Sequence, residues 1–265
     1  MSKRKTALGI AVLFALALSA FAAPGASAAT SGTTAFTCVK GKGVLNGAHC
    51  LGTSGGEYGH VAIKQDETTT GTATNEETAA NAGGESTKAA KSATLKGALA
   101  GVETELTCAE VHGEGTFENK LEGEVHYATA EGKLHYTKCE VKKPNKKCKV
   151  KGETVTTEQL FGSTKGQGMA AKIEPKVGTK FADITIEGCE IESLNNTFPV
   201  SGSLVAQISG ATLTATHAEI TTQNTLKFGG VKAGLEGALT LKAHKVPKEG
   251  EGTEETKPLS ATTVE

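Results

Sequence analysis

The residue types in this chain that could do chemistry are six Cys, seven His and a large set of Glu. The six cysteines are Cys38, Cys50, Cys108, Cys139, Cys148 and Cys189. In an exported chain, an even number of Cys predicts disulfides. Cys ligands of a structural Zn site usually come in C-x-x-C pairs, and this chain has none. The sequence therefore predicts three disulfides and neither a metal site nor another cofactor.

The spacing of the cysteines favours one pairing scheme. Cys38 and Cys50 flank a Gly-rich loop, so a local bridge between them is expected. The other four allow three pairings, of which Cys108–Cys139 with Cys148–Cys189 is preferred. Each of these bridges would join strands well separated in sequence, whereas Cys139–Cys148 would close only a hairpin loop. Longer closed loops restrict the unfolded chain more.

One loop carries both a His and a Ser motif. AHC (48–50) and GTSGG (52–56) resemble the His and Ser signatures of trypsin-like serine proteases. In that family the two motifs lie far apart in sequence and an acid precedes the Ser, but here they share a loop and Thr53 replaces the acid. The triad also needs an Asp to orient the His, and neither Asp66 nor Asp183 is placed to do so. We therefore expect a Gly-rich loop here and assign no catalytic residue.

Two histidines, His126 and His135, flank the segment ATAEGK (128–133). If this segment is a hairpin loop with Gly132 at the turn, the two imidazoles face each other across the strands and could share a Zn or Cu ion. A three-residue turn at 130–132 would shift the register and separate them. Two His are too few for a tight site, so the sequence favours solvated cross-strand histidines and assigns no metal ligand.

Composition excludes several function classes. The single Arg is Arg4 and Trp is absent, while Tyr58, Tyr127 and Tyr136 are the three tyrosines. Nucleic-acid recognition relies on the forked guanidinium of Arg, so no nucleic-acid partner is expected. Sugar binding and protein hot spots rely on large aromatic side chains, which are scarce here.

The first 28 residues have the pattern of a signal peptide. Lys3, Arg4 and Lys5 form a basic start, an apolar segment runs from Leu8 to Phe21, and 26–28 (ASA) fits a signal-peptidase site. The apolar segment is shorter than the ~20 residues that a membrane-spanning helix needs. We expect cleavage after Ala28 and a secreted or envelope-associated mature chain without an integral membrane segment.

The mature chain divides into four predicted parts. Residues 29–64 form a small disulfide-closed β unit, and 65–93 form a flexible low-complexity loop with almost nothing larger than Ala on its apolar side. Residues 94–246 form the main β domain. Residues 247–265 form a disordered tail, because the segment is charged and contains Pro and Gly.

Strand patterning predicts an all-β fold. In 101–108, Val102, Thr104, Leu106 and Cys108 alternate with polar residues, as in a strand with one buried face. Turn signals recur every 8–12 residues, and no apolar stripe of helical period follows residue 28. We expect roughly ten mainly antiparallel strands in a sandwich or a barrel-like pair of sheets. The similar segments CAEVHGEGTF (108–117) and CEIESLNNTF (189–198) raise the alternative of a duplicated module.

A signal peptide followed by a Thr-, Ala- and Gly-rich β chain with few Cys loosely resembles uncharacterised secreted proteins of high-GC Gram-positive bacteria. The resemblance rests on composition and implies no activity. The expected function is therefore a non-catalytic structural, adhesive or binding module whose partner is a component of the cell envelope or its exterior. The alternative is a secreted hydrolase that combines Glu with His112, His126 or His217.

Overall fold

The computed structural model of the protein describes residues 31–45, 56–75, 77–81, 84–88, 91–144, 147–209, 212–215, 224–244 and 256–264. Within these ranges the chain forms twenty β-strands and two 3-10 helices, Lys151–Glu153 and Glu192–Leu194, and has no α-helix. The predicted all-β, mainly antiparallel class is confirmed. The choice between a sandwich and a barrel-like pair of sheets stays a prediction. The predicted signal peptide, 1–28, lies outside the described residues.

The strands, in chain order, are β1 Ser31–Leu45, β2 Tyr58–Ala62, β3 Thr69–Thr74, β4 Glu77–Asn81, β5 Gly84–Lys88, β6 Ala93–Leu99, β7 Val102–Glu122, β8 Val125–Lys143, β9 Lys149–Val150, β10 Thr154–Thr156, β11 Leu160–Ser163, β12 Ala170–Pro175, β13 Lys180–Glu187, β14 Asn196–Ser201, β15 Leu204–Ser209, β16 Thr212–Ala215, β17 Lys227–Phe228, β18 Val231–Lys232, β19 Gly234–His244 and β20 Thr256–Val264. Their number exceeds the expected ten, because strands of two to four residues such as β9 and β17 are too short to show alternation in the sequence.

The longest pairing in the fold is the antiparallel hairpin of β7 and β8, which has seventeen residue pairs. Sixteen of them share one register, and Glu105–Lys143 is shifted by one residue. The turn consists of Gly123 and Glu124, and Gly123 takes a φ of 64°, a conformation that glycine adopts without a steric penalty. The sequence prediction of a turn at Gly132 is wrong. Gly132 lies within β8, opposite Gly115, and has no positive φ.

Both strands of this hairpin change their buried face at one position. In β7, the buried side chains are at even positions up to Cys108 and at odd positions from Val111 onwards. Ala109 and Lys138 are left out of the pairing, and Lys138 takes a φ of 53°. At this irregularity the buried positions of β7 change from even to odd numbers. Apolar residues on both sides of it therefore face the interior.

Eight strands close into a ring through successive antiparallel pairings. β7 pairs with β8, β8 with β11, β11 with β12 and β12 with β15. β15 then pairs with β16, β16 with β19, β19 with β3, and β3 returns to β7. A closed ring satisfies the backbone hydrogen bonds of its strands and leaves them no free edge along the paired stretches.

The remaining strands extend this ring. β6 pairs with the first half of β7 and with the start of β19. β10 and β9 pair with β8, and β9, β13, β14, β17 and β18 follow one another as neighbours. β1 pairs with β2 and β20, β20 pairs with β19, and β1 also makes two parallel pairings with β8. β4 and β5 form a separate two-stranded sheet.

These pairings differ from the domain division predicted from sequence. The predicted unit 29–64 is not separate, because β1 joins both β8 and β20. The predicted loop 65–93 contains β3, which is part of the ring, and β4 and β5. The predicted tail 247–265 contains β20. The loop prediction rested on the small side chains of residues 65–93. β3 is nevertheless a strand of the sheet, because its backbone pairs with β7 and β19.

The two similar segments do not share a structure. Residues 108–117 run through the middle of the single strand β7. Residues 189–198 instead include a 3-10 helix and the start of β14. The shared residues therefore do not mark two copies of one structural unit.

Buried apolar side chains form two clusters, and both preferred disulfides are present. The larger cluster includes Cys108, Cys139 and Cys148, and the smaller consists of Ala35, Ile63, Phe117, Ala243 and Leu259. The bonds are Cys108–Cys139 and Cys148–Cys189, across separations of 31 and 41 residues. Loops of this length restrict the unfolded chain by about 3 to 4 kcal/mol in the loop-entropy model. The third predicted bridge, Cys38–Cys50, stays a prediction, because Cys50 lies outside the described residues.

The two disulfide bonds differ in their exposure to solvent and therefore to a reductant. Cys108 and Cys139 are both buried, at 7% and 2% exposure, whereas Cys189 is only partly buried. We expect a mild reductant and an alkylating agent to modify Cys148 and Cys189 first in the folded protein, as measured by peptide mass spectrometry. In denaturant the order should disappear. Earlier modification of Cys108 and Cys139 would contradict this account.

The buried side-chain amide of Asn119 connects β7 to Ala35 of β1 and to Ile63, the residue after β2. Its Oδ1 accepts the Ala35 backbone N–H at 2.8 Å, and its Nδ2 donates to the carbonyl oxygens of Ala35 at 2.9 Å and Ile63 at 2.7 Å. The side chain is 4% exposed, so water has little access to these groups. The amide therefore supplies hydrogen bonds that an adjacent strand would otherwise make.

Replacing Asn119 by Ala should destabilise the protein strongly. The change leaves the Ala35 N–H and the Ile63 carbonyl without these partners, at a cost of about 1–3 kcal/mol each, whereas the Ala35 carbonyl keeps its hydrogen bond from the Ile63 N–H at 3.1 Å. We expect the free energy of unfolding to fall by about 2 kcal/mol or more in urea titrations. As a control, Lys120→Ala removes exposed ion pairs to Asp66 and Glu118 and should cost less than about 1 kcal/mol. Equal losses in both variants would contradict the role assigned to Asn119.

Candidate ligand cavity

The sequence candidates for chemistry are not brought together. His49, Ser54 and His217 lie outside the described residues. His126 and His135 do not face each other, because both lie on β8, nine positions apart. The hairpin that would have joined them does not form, since residues 128–133 pair with β7 and β11 in the middle of the strand.

The register places His135 directly opposite His112 instead. His112 Nε2 lies 3.5 Å from Glu114 Oε1, and His135 Nδ1 lies 3.1 Å from Thr156 Oγ1. The His112 and Glu114 side chains are 53% and 81% exposed, so this pair is solvated on the outer face of β7. Across the described part of the chain, no group of three or more His, Cys, Asp and Glu could hold a metal ion.

The ring of eight strands surrounds a partly open apolar cavity of about 150 Å³. Its wall is formed by small residues on the inward positions of four neighbouring strands, which are Gly71 and Ala73 on β3, Gly113 and Gly115 on β7, Ala128, Ala130 and Gly132 on β8, and Gly162 on β11. Larger side chains line the opposite side, namely Ile173, Ile208, Leu213, Leu239 and Leu241. The cavity exists because one side of the ring is lined by residues too small to fill it.

Several of these glycines are required because neighbouring backbone or ring atoms occupy the space that a Cβ would need. A Cβ built on Gly115 would lie 2.2 Å from the carbonyl oxygen of Glu131, and one on Gly132 would lie 2.4 Å from that of Glu114. A Cβ on Gly71 would lie 2.5 Å from the Phe117 ring. No side chain fits at such distances, so the backbone itself forms this side of the wall.

Gly162 differs from these glycines. A Cβ built there would meet Ala130 at 3.8 Å and Ile173 at 3.9 Å, which are ordinary van der Waals contacts. Gly162 also has no positive φ. A side chain at position 162 can therefore extend into the cavity without displacing the backbone.

Charged groups near the cavity point away from it. Glu114, Glu131 and Lys133 contribute to its lining but alternate with the inward glycines, so their side chains lie on the outer face. Glu114 is 81% exposed and Glu131 pairs with Lys176. In the described residues, no charged side chain is directed into the cavity.

The polar side chains around the cavity are bonded within the protein or directed away from it. Thr164 Oγ1 accepts the Ala128 backbone N–H at 2.9 Å, and Ser163 Oγ accepts that of Lys165 at 3.2 Å. Thr72 and Thr129 alternate with the inward residues of β3 and β8, so their side chains lie on the outer face. The cavity surface is therefore almost purely hydrocarbon.

The cavity also separates the two apolar clusters. Phe117 and Leu259 of the smaller cluster line one side, and Leu160 of the larger cluster lines another. Sequence reasoning missed this site. Its signal is the alternation of small residues at 113 and 115 and at 128, 130 and 132, of which only Gly132 entered the sequence prediction, as a turn residue.

Comparison of the chain with models of protein families, with curated proteins and with solved structures gave no match. The site must therefore be interpreted from its own geometry.

Tyr136 lies beside two smaller apolar gaps of about 50 Å³ each. Burial raises the pKa of its phenol to about 12 because the charged phenolate is poorly solvated there. The unfolded chain has a tyrosine pKa of about 10, so it loses this proton first. The stability due to this difference is fully present below pH 10 and is lost as the pH rises towards 12.

Tyr136→Phe should remove this alkaline destabilisation. Between pH 9 and pH 12 the wild-type protein should lose about 2 kcal/mol more stability than the variant, as measured by denaturant titration. The variant should also lack the phenolate absorbance step near pH 12. Tyr127→Phe serves as the control and should keep that step. Identical high-pH titrations of the wild type and Tyr136→Phe would contradict the assignment.

Proposed function

We propose that the mature chain is an exported, non-catalytic binding module that acts at or outside the cell envelope and holds a small molecule in the ring cavity. One observation carries this proposal: eight antiparallel strands close around an apolar cavity of about 150 Å³ whose surface is almost purely hydrocarbon. Concave apolar sites of this kind are the usual places where proteins bind small molecules.

Several features support export. The N-terminal 28 residues have the pattern of a signal peptide, and disulfides such as Cys108–Cys139 persist mainly in oxidising compartments. In the part of the chain that the structure describes, no helix is both long and apolar enough to cross a membrane. The compositional resemblance to secreted proteins of high-GC Gram-positive bacteria supports a bacterial envelope or its exterior as the location.

A binding role suits the cavity better than catalysis does. General acid–base and nucleophilic catalysis need a polar group within hydrogen-bond reach of the reacting atom. The inward positions of this cavity present hydrocarbon to any occupant. The alternative function, a secreted hydrolase, is favoured by one contact, the 3.5 Å approach of His112 to Glu114 on the outer face.

The proposal is tested with a panel of small neutral and charged molecules, measured by thermal shift and confirmed by calorimetry. Binding to the wild-type protein should be lost in Gly162→Val, because the new side chain occupies the cavity. This variant should be folded and slightly more stable in the absence of ligand, since Val suits a strand better than Gly does, by up to about 1 kcal/mol. Its loss of binding would therefore not result from unfolding.

Thr154→Val is the matched control. It introduces the same residue at an exposed position of β10, also next to β8, and should bind as the wild type does. Absence of binding by every molecule of the panel, or equal binding by Gly162→Val, would show that the cavity is not a ligand site. Turnover of p-nitrophenyl esters that is lost in His112→Ala would favour the hydrolase instead.

A further inference from the structure

We infer that the ligand of the ring cavity is an uncharged aromatic or similarly compact hydrocarbon, about the size of a single six-membered ring. This inference rests on the proposed function and specifies the class of ligand. Three properties of the cavity lead to it, which are its volume, its lack of free polar partners and the position of one aromatic ring.

Volume sets the size of the ligand. An apolar protein cavity of about 150 Å³ stays dry and accepts benzene or xenon. The cavity here has that volume. A monocyclic molecule with about six to eight non-hydrogen atoms therefore fits, whereas two fused rings extend into the opening or require the wall to move.

The wall resists such movement on its glycine side. Gly115 and Gly132 lie opposite each other in the hairpin register, and a Cβ on them would lie 2.2 Å and 2.4 Å from the carbonyl oxygens of Glu131 and Glu114. Widening the ring here requires breaking the longest pairing of the fold. Packed interiors resist deformation for the same reason, so larger ligands should be rejected.

The lack of free partners sets the polarity of the ligand. The cavity surface is almost purely hydrocarbon, the Thr164 hydroxyl at its edge is bonded to the Ala128 backbone N–H, and the wall strands pair with one another. A ligand hydroxyl or amide would give up its bonds with water without replacement, and a carboxylate or ammonium would lose far more. The cavity therefore selects against polar molecules and most strongly against ions.

The position of Phe117 favours an aromatic ligand. Its ring lies against the Cα side of Gly71, where a Cβ would be 2.5 Å away, and the residue lines the cavity. The ring can therefore contact an occupant edge-on or in an offset stack, arrangements that stabilise aromatic pairs beyond simple burial. An aliphatic ligand of equal volume lacks this contribution.

The experiment uses the purified mature protein and four probes, which are benzene, cyclohexane, naphthalene and benzoate, with dissociation constants measured by calorimetry. We expect benzene to bind most tightly and cyclohexane to bind more weakly. Naphthalene should bind at least about tenfold more weakly than benzene because of overpacking. Benzoate should bind at least about 100-fold more weakly because its charge would be buried without a partner.

Two variants locate the binding. Gly162→Val should abolish benzene binding, and Thr154→Val should not change it.

Leu241→Ala enlarges the cavity on the opposite side and should bring the affinity for naphthalene to that for benzene or above. Leu241→Val is a milder enlargement for which the same trend is expected, should the alanine variant fold poorly.

The outcomes separate this inference from the proposed function. Tight binding of naphthalene or benzoate to the wild-type protein, lost in Gly162→Val, overturns the inferred ligand class and leaves the binding function intact. Binding of cyclohexane equal to that of benzene overturns the aromatic preference. Absence of binding by all four probes overturns the inferred ligand, and the wider panel described above then decides whether the cavity binds anything.

Discussion

The rest of the fold depends on the backbone pairing of β7 with β8. Seventeen residue pairs join these two strands. The hairpin contributes Leu106, Cys108 and Cys139 to the larger apolar cluster and Phe117 to the smaller one. Each of its outer edges is used by other strands, β6 and β3 on the β7 side and β10, β11 and β9 on the β8 side. The mid-strand change of face at Ala109 and Lys138 keeps apolar residues directed inwards along the whole length. Without it, half of the hairpin would present its apolar face to water.

The second constraint is that buried backbone N–H and C=O groups need hydrogen-bond partners. A sheet of many short strands leaves some of these groups without a paired strand. Side chains complete the hydrogen bonds of these groups. Asn119 bonds to Ala35 and Ile63, while Asn75 accepts the Val111 N–H at 2.9 Å and donates to the Ala109 carbonyl at 2.8 Å. The hydroxyls of Thr157 and Thr164 serve the same purpose along β8. Buried Asn and Thr in this chain thus replace missing strand neighbours, and this accounts for polar residues at positions that alternation alone would assign to apolar ones.

The glycines of β3, β7 and β8 allow close strand packing and also leave the cavity unfilled. Gly71, Gly113, Gly115 and Gly132 let the strands approach until backbone and ring atoms touch, and the same absence of side chains leaves an apolar space between the two clusters. A natural core usually avoids such space, because unfilled volume loses dispersion contacts. At Gly162 a larger side chain would fit, so close approach does not explain the small residue there. This combination is the physical basis for regarding the cavity as a ligand site.

The sequence by itself determined the all-β class, since alternation and turn signals are local properties, and it favoured the two disulfides that the structure contains. It also indicated the buried face of 102–108. It did not determine the position of the hairpin turn, because the Gly123 and Gly132 segments carry similar local signals, each with Gly after Glu, and only pairing with β11 makes 128–133 a strand. The assignment of β3 and β20 to the sheet and the closure of eight strands into a ring depend on contacts between residues far apart in sequence. The cavity follows from that closure. Small residues alternate along each strand in the sequence, but only the tertiary structure places them around one shared space.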